Sequence, residues 1–146
     1  MSNGCCLEIL IIEDEEGLCD MAEFVASDLG CRVKKAYNLK EASAIIDQDD
    51  QIHLGLFDYH LPDSQPDSGW NLEFLEKIRS RKNFEFLFVT GDMALTLEKA
   101  KEMGAADILF KPFTCEELQT LVVAYIQRKR QSICSKTGDP CPAIQG

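Results

Sequence analysis

The apolar positions of this chain gather in short runs that stop abruptly at polar residues. Residues 7–12 run into Glu13-Asp14-Glu15-Glu16, residues 54–57 into Asp58, residues 84–89 into Thr90-Gly91-Asp92, and residues 107–110 into Lys111-Pro112. Runs of this length read as buried strands, and each is followed by a segment with helical spacing, so the strands are expected to be parallel. The first helix spans about 16–29, with Leu18, Ala22, Val25 and Leu29 on one face, and Gly30 stops it. A short strand at 32–36 leads to a helix capped by Asn38 that carries Leu39, Ala42 and Ile46 inward to about Asp47. Residues 63–69 are dense in turn formers and form a loop. A helix over 70–81 would bury Leu72, Leu75 and Ile78; one over 94–103 ends at Gly104; the last, capped by Thr114, turns Leu118, Val122 and Tyr125 to the core. Arg128-Lys129-Arg130 close that helix, where cations are favoured, and residues 132–146 are expected to be a disordered tail behind one folded unit of residues 1–131.

Five strands alternating with five helices predict an α/β fold, a right-handed, doubly wound, five-stranded parallel sheet between two helix layers. The order 2-1-3-4-5 would put the ends of strands one and three on either side of the reversal, where ligands bind in such sheets. That edge then carries Glu13, Asp14, Asp58, Thr90 and Lys111. Three carboxylates together repel one another unless a cation neutralises them. A hard divalent ion suits oxygen ligands, and Mg²⁺ accepts a few carboxylates while keeping waters and a substrate phosphate. Lys111 offers a point charge and Thr90 a hydroxyl to a phosphoryl group. Asp58, between them, can attack phosphorus and become an aspartyl phosphate.

Bulk properties narrow the class. With 146 residues and 45% hydrophobic content the chain can fill one core. A net charge of −10 argues against nucleic-acid binding by this domain. No apolar run is long enough to span a bilayer, and no signal-peptide pattern follows Met1. The seven cysteines (5, 6, 19, 31, 115, 134, 141) lack a C-x-x-C pair. They read mostly as small buried hydrophobes, with a disulfide or zinc site at Cys134 and Cys141 as the minority reading, and the cytosol as the expected compartment.

On LIIEDEE at the end of strand one, LFDYHLPD around Asp58, FVTGD around Thr90 and FKPF around Lys111, the chain resembles the receiver domains of two-component response regulators. The likeness spans about residues 7–130. It implies a CheY-like, flavodoxin-like fold in which Glu13, Asp14, Asp58 and the main-chain carbonyl of His60 hold Mg²⁺. It further implies that Asp58 receives a phosphoryl group from a histidine kinase or phosphotransfer protein, that Thr90 and Lys111 contact the phosphate, and that the Lys111–Pro112 bond is cis. The chain is then a phosphoacceptor rather than a metabolic enzyme, limited to self-phosphorylation and autodephosphorylation. It would pass its signal to a downstream protein, a homodimer being admissible.

Departures from the family pattern are visible. Ile108 stands three residues before the lysine, where an aromatic is usual, so any switch must run through backbone and packing. The loop from Pro62 to Gly69 is longer than common, and His60 and Asp92 hold the two variable positions that tune phosphate loss in the family. No output module follows the last helix, so the chain is expected to be either a stand-alone receiver or one excised from a longer protein, the initiator Met and the tail past the domain favouring the first. Three rival readings remain: a degenerate receiver-like scaffold that is not phosphorylated, an aspartate-nucleophile phosphatase, and a flavodoxin-like electron carrier. The phosphatase would need an acid two residues after Asp58, where His60 stands. The electron carrier would need a Ser/Thr/Gly-rich loop where the four acids sit, and retention of all five site residues argues against the scaffold.

Overall fold

A computed structural model describes residues 7–49, 51–61, 63, 71–81 and 84–137, with the side chains of 130–137 left aside. The elements are β1 (Glu8–Ile12), α1 (Glu16–Asp28), β2 (Arg32–Ala36), α2 (Leu39–Gln48), β3 (Leu54–Asp58), α3 (Leu72–Arg79), β4 (Glu85–Thr90), α4 (Leu97–Glu102), β5 (Asp107–Phe110) and α5 (Cys115–Thr137). All strand pairs are parallel and the order is β2-β1-β3-β4-β5, as the alternation predicts.

The sheet divides the core in two because side chains alternate across it. On one face Leu10, Ile12, Phe57, Phe86 and Phe88 pack against α2, α3 and Ala100 of α4. On the other, Ile9, Ile11, Leu54, Leu56, Leu87 and Val89 pack against α1 and α5. The central strands β1 and β3 are buried along their whole length, which explains why they read as unbroken apolar runs. Register then decides what meets at their ends: Ile12 lies opposite Phe57, Asp58 opposite Val89, and Thr90 opposite Phe110.

Helix ends follow local chemistry. Gly30 and Gly104 take φ of 88° and 100°, the left-handed region that L side chains rarely adopt, where the chain leaves α1 and α4. Thr114 Oγ1 accepts from Glu117 N at 3.0 Å while Glu117 Oε1 accepts from Thr114 N at 2.9 Å, a reciprocal cap that starts α5. Thr114→Ala is expected to cost about 1 kcal/mol in urea denaturation.

Four expectations need correction. In α3 the buried residues are Phe74, Leu75 and Ile78, whereas Leu72 is 59% exposed. The helix begins only after Asn71, whose Oδ1 accepts from Phe74 N at 3.0 Å, and Phe74, Leu75 and Ile78 share its inward face by their i, i+1, i+4 spacing. Helix α4 starts at Leu97 rather than 94, because Asp92 ties up Ala94 N and Leu95 N in a turn and Thr96 then caps Lys99 N. Helix α5 continues to Thr137, so residues 132–137 are helical rather than a disordered tail. Nothing between Gln131 and Thr137 is glycine or proline; the first breaker in the sequence is Gly138. Cys115 is exposed at the start of α5, although Cys19 and Cys31 are buried as expected. Trp70, the Pro62–Gly69 loop apart from Asp63, Cys5, Cys6, Cys141, the side chain of Cys134 and residues 138–146 lie outside the described set.

Candidate functional site

The strand-end residues converge at the carboxyl edge of β1, β3, β4 and β5. Asp58 is the last residue of β3 and only 4% exposed. Glu13, the residue after β1, is also buried, and its Oε2 accepts from Glu15 N at 3.1 Å, which turns the chain into α1. Asp14 is exposed, yet one carboxylate oxygen from each of Glu13, Asp14 and Asp58 can be chosen so that all lie within 4.8 Å of one another. That spacing of hard oxygen donors fits a small divalent cation such as Mg²⁺.

Lys111 answers the carboxylates from the end of β5. Its Nζ lies 3.2 Å from Glu13 Oε1 and 3.5 Å from Asp58 Oδ2. Lys111 N also donates to Thr90 O at 2.8 Å, which ties its backbone to β4, and the Lys111–Pro112 bond is cis as the resemblance implied. Burial works against the ammonium, but Asp58 and Glu13 outweigh it and hold the lysine above its usual pKa.

The same crowding acts on Asp58 in the opposite sense. Burial, then the charge of Glu13 and a hydrogen bond with it, push the Asp58 pKa up to about 7, against the pull of Lys111 and of His60 N. One proton and one ammonium together cannot fully neutralise three carboxylates, so the site invites a further cation.

A pH dependence follows. The unfolded chain releases the Asp58 proton near 3.8, whereas the metal-free folded site keeps it to about 7. Between those values the folded state binds more protons, so the stability this group contributes below pH 4 is lost as pH rises through 7. Denaturation in EDTA should show wild-type stability falling relative to Asp58→Asn over pH 4 to 7. Parallel profiles would contradict the crowding.

Thr90, at 1% exposure, ends β4, and its Oγ1 accepts from Asp92 N at 3.0 Å. That acceptance leaves the hydroxyl proton available to another acceptor. Asp92 is itself held on two sides: its Oδ1 accepts from Ala94 N at 2.9 Å and its Oδ2 pairs with His60 Nε2 at 3.1 Å. Those contacts, the Ala94 amide first, keep its carboxyl below the usual range. The two variable rim residues therefore touch each other across the site mouth, which sequence reading missed because 32 residues separate them. His60 also donates its backbone N–H to Asp58 Oδ1 at 3.2 Å. Ile108 is half-buried and packs against the α2–α3–α4 side of the core.

The profile of the response regulator receiver domain family matches residues 9–123. An uncharacterized transcriptional regulatory protein of Bacillus subtilis (strain 168), YrkP, is 30% identical over 122 residues, covering 82% of this chain and 49% of that protein. The chain thus spans about half the length of this curated relative. A two-component response regulator from Clostridium difficile matches with a TM-score of 0.70 at 24% identity, over 84% of this chain and 97% of that one. A CheY-like receiver domain protein from Methanospirillum hungatei JF-1 matches with a TM-score of 0.72 at 24% identity, over 87% and 98% respectively. These two structural likenesses bear on the fold. Among the described residues, no helix is long and apolar enough to cross a membrane.

Proposed function

The chain belongs to the response regulator receiver domain family, and from that premise we propose that Asp58 is its phosphoryl acceptor. The observation that carries the reading is the buried Asp58 carboxylate, 3.5 Å from Lys111 Nζ and grouped with Glu13 and Asp14. Glu13, Asp14 and Asp58 would hold Mg²⁺, with the His60 carbonyl as the further ligand the family implies. The ion, when bound, would supply positive charge against the carboxylates and the incoming phosphoryl oxygens.

The residues of the chain do the rest. An Asp58 oxygen attacks phosphorus of a phosphohistidine or a small acyl phosphate. The new P–O bond forms as the P–N or P–O bond to the donor breaks, and the bonding pair leaves with the donor. Lys111 neutralises phosphoryl charge, and Thr90, with its oxygen already accepting from Asp92 N, donates its proton to a phosphoryl oxygen. A histidine kinase or phosphotransfer protein is the donor this chemistry fits, and a downstream protein the receiver of the signal. Beyond a slow autodephosphorylation no catalysis on other molecules is proposed.

Intact mass tests the reading. Acetyl phosphate with Mg²⁺ should add one phosphoryl group to the wild type. No gain is expected in EDTA, nor for Asp58→Asn, whose amide is a poor nucleophile and metal ligand. An unchanged wild-type mass with an active donor would favour a non-phosphorylated scaffold.

A further inference from the structure

The loop that leaves Asp58 ends in a polar clasp whose partners lie far back in the chain. Asp63 Oδ1 accepts from Leu39 N at 2.9 Å and its Oδ2 from Lys40 N at 3.1 Å. A helix leaves four N–H groups without an internal partner, and α2 supplies only part of the remedy itself. Asn38 Oδ1 takes Glu41 N at 2.8 Å and Asn38 O takes Ala42 N at 3.1 Å. The first two amides therefore depend on a carboxylate 23 and 24 residues downstream. The carbonyl of Asp63 also accepts from Asn71 Nδ2 at 3.3 Å, and Asn71 in turn caps α3 through Phe74 N. One residue of the loop thus holds the starts of two helices.

The same loop is bonded to the acceptor. Tyr59 N donates to Val89 O at 2.9 Å and His60 N to Asp58 Oδ1 at 3.2 Å. Leu61, between the two anchors, is buried in the apolar cluster that includes Leu39 and Phe74. Phosphorylation turns Oδ1 into either the ester oxygen or the carbonyl of an acyl phosphate. In both cases it loses its share of negative charge and becomes a weaker acceptor for His60 N–H. The two states of Asp58 therefore interact differently with the loop, the condition a transmitted change requires.

Farther along the helix pair, Lys77 Nζ donates to Ser43 Oγ at 2.6 Å and to Asp47 Oδ1 at 2.8 Å, pinning α3 to the middle and the last turn of α2. Between clasp and pin lies a groove of about 420 Å³, lined by Lys40, Ser43, Asp63, Asn71 and Lys77 among others. A pair fixed at one end and held at the other through the Asp58 loop can pivot.

We propose that the α2–α3 pair senses the phosphorylation state of Asp58, with Asp63 as the positioning residue that links loop to helix. The inference rests on Asp58 being the acceptor, and its test separates the two. Amide resonances are followed while the full chain is saturated with Mg²⁺ and beryllofluoride, a phosphoryl mimic. In the wild type, Leu39, Lys40 and Phe74 should shift together with Thr90 and Lys111. In Asp63→Ala, Thr90 and Lys111 should still shift while Leu39 and Lys40 stop responding. Asp63→Asn, which keeps one acceptor oxygen and is the milder change should α2 fray, should retain part of the shift. Leu39 and Lys40 unmoved in the wild type, or moving equally in Asp63→Ala, would overturn the link and leave the acceptor standing. Silence at Thr90 and Lys111 as well would overturn both.

Discussion

Phe57→Ala is expected to lower stability by about 3–5 kcal/mol, the range for emptying a buried aromatic site. Phe57 is 0% exposed, stacked on Phe86 with centroids 5.0 Å apart and set edge-on to Phe74 at 5.7 Å. It is also the residue before Asp58, so its ring anchors the strand end that carries that carboxylate. The ring fits because residue 55 is glycine: a Cβ there would lie 2.4 Å from Phe57 Cε1 and 2.6 Å from Cζ. Phe57 cannot move aside cheaply, so Gly55→Ala should cost about 1–3 kcal/mol by overpacking. The two effects must couple, since each substitution removes the clash or the cavity made by the other. In a double-mutant cycle by urea denaturation the pair should cost less than the sum of the single changes. Strict additivity would show that Gly55 and Phe57 do not share this space.

Lys111→Met should have the next largest effect, and its size should depend on the metal. In EDTA at pH 8 the change leaves Glu13 and Asp58 buried without their ammonium, and a loss of about 2 kcal/mol is expected. That lies below the roughly 3–5 kcal/mol of a fully buried broken pair, because the Lys111 side chain is 25% exposed and partly screened by water. Saturating Mg²⁺ should shrink the loss, since a cation among the three carboxylates replaces the missing charge. Lowering the pH toward 5 should shrink it too, because Asp58 then carries a proton. Phosphoryl gain from acetyl phosphate with Mg²⁺ should also fall sharply. Equal destabilisation with and without Mg²⁺ would mean that the lysine and the ion do not answer the same charges.

What could be read in advance follows the reach of each signal. The strands were legible because full burial makes an unbroken apolar run, and the positions of Glu13, Asp58, Thr90 and Lys111 follow from where those runs stop. Caps within three residues of their partners were legible for the same reason: Asn38 and Thr114 sit where their side chains say they should. Other local bonds were not: the Asp92 turn that delays α4 and the Asn71 cap that starts α3 span only two and three residues, but hydrophobic spacing does not encode them. Signals between distant segments left still less trace. The His60–Asp92 contact and the Asp63 clasp cross 32 and 24 residues, and only the folded chain brings them together. The extra turns of α5 are legible in principle, since no breaker precedes Gly138, but the polar composition of that stretch by itself favours disorder.

Asp58 alone is expected to take the phosphoryl group, although Glu13 and Asp14 stand beside it. Reduction with labelled borohydride converts an acyl phosphate to the alcohol, so an aspartyl phosphate becomes homoserine. After acetyl phosphate and Mg²⁺, peptide mapping should find labelled homoserine at position 58 and nowhere else. Label at Glu13 or Asp14, or no label despite a gain in mass, would contradict the account.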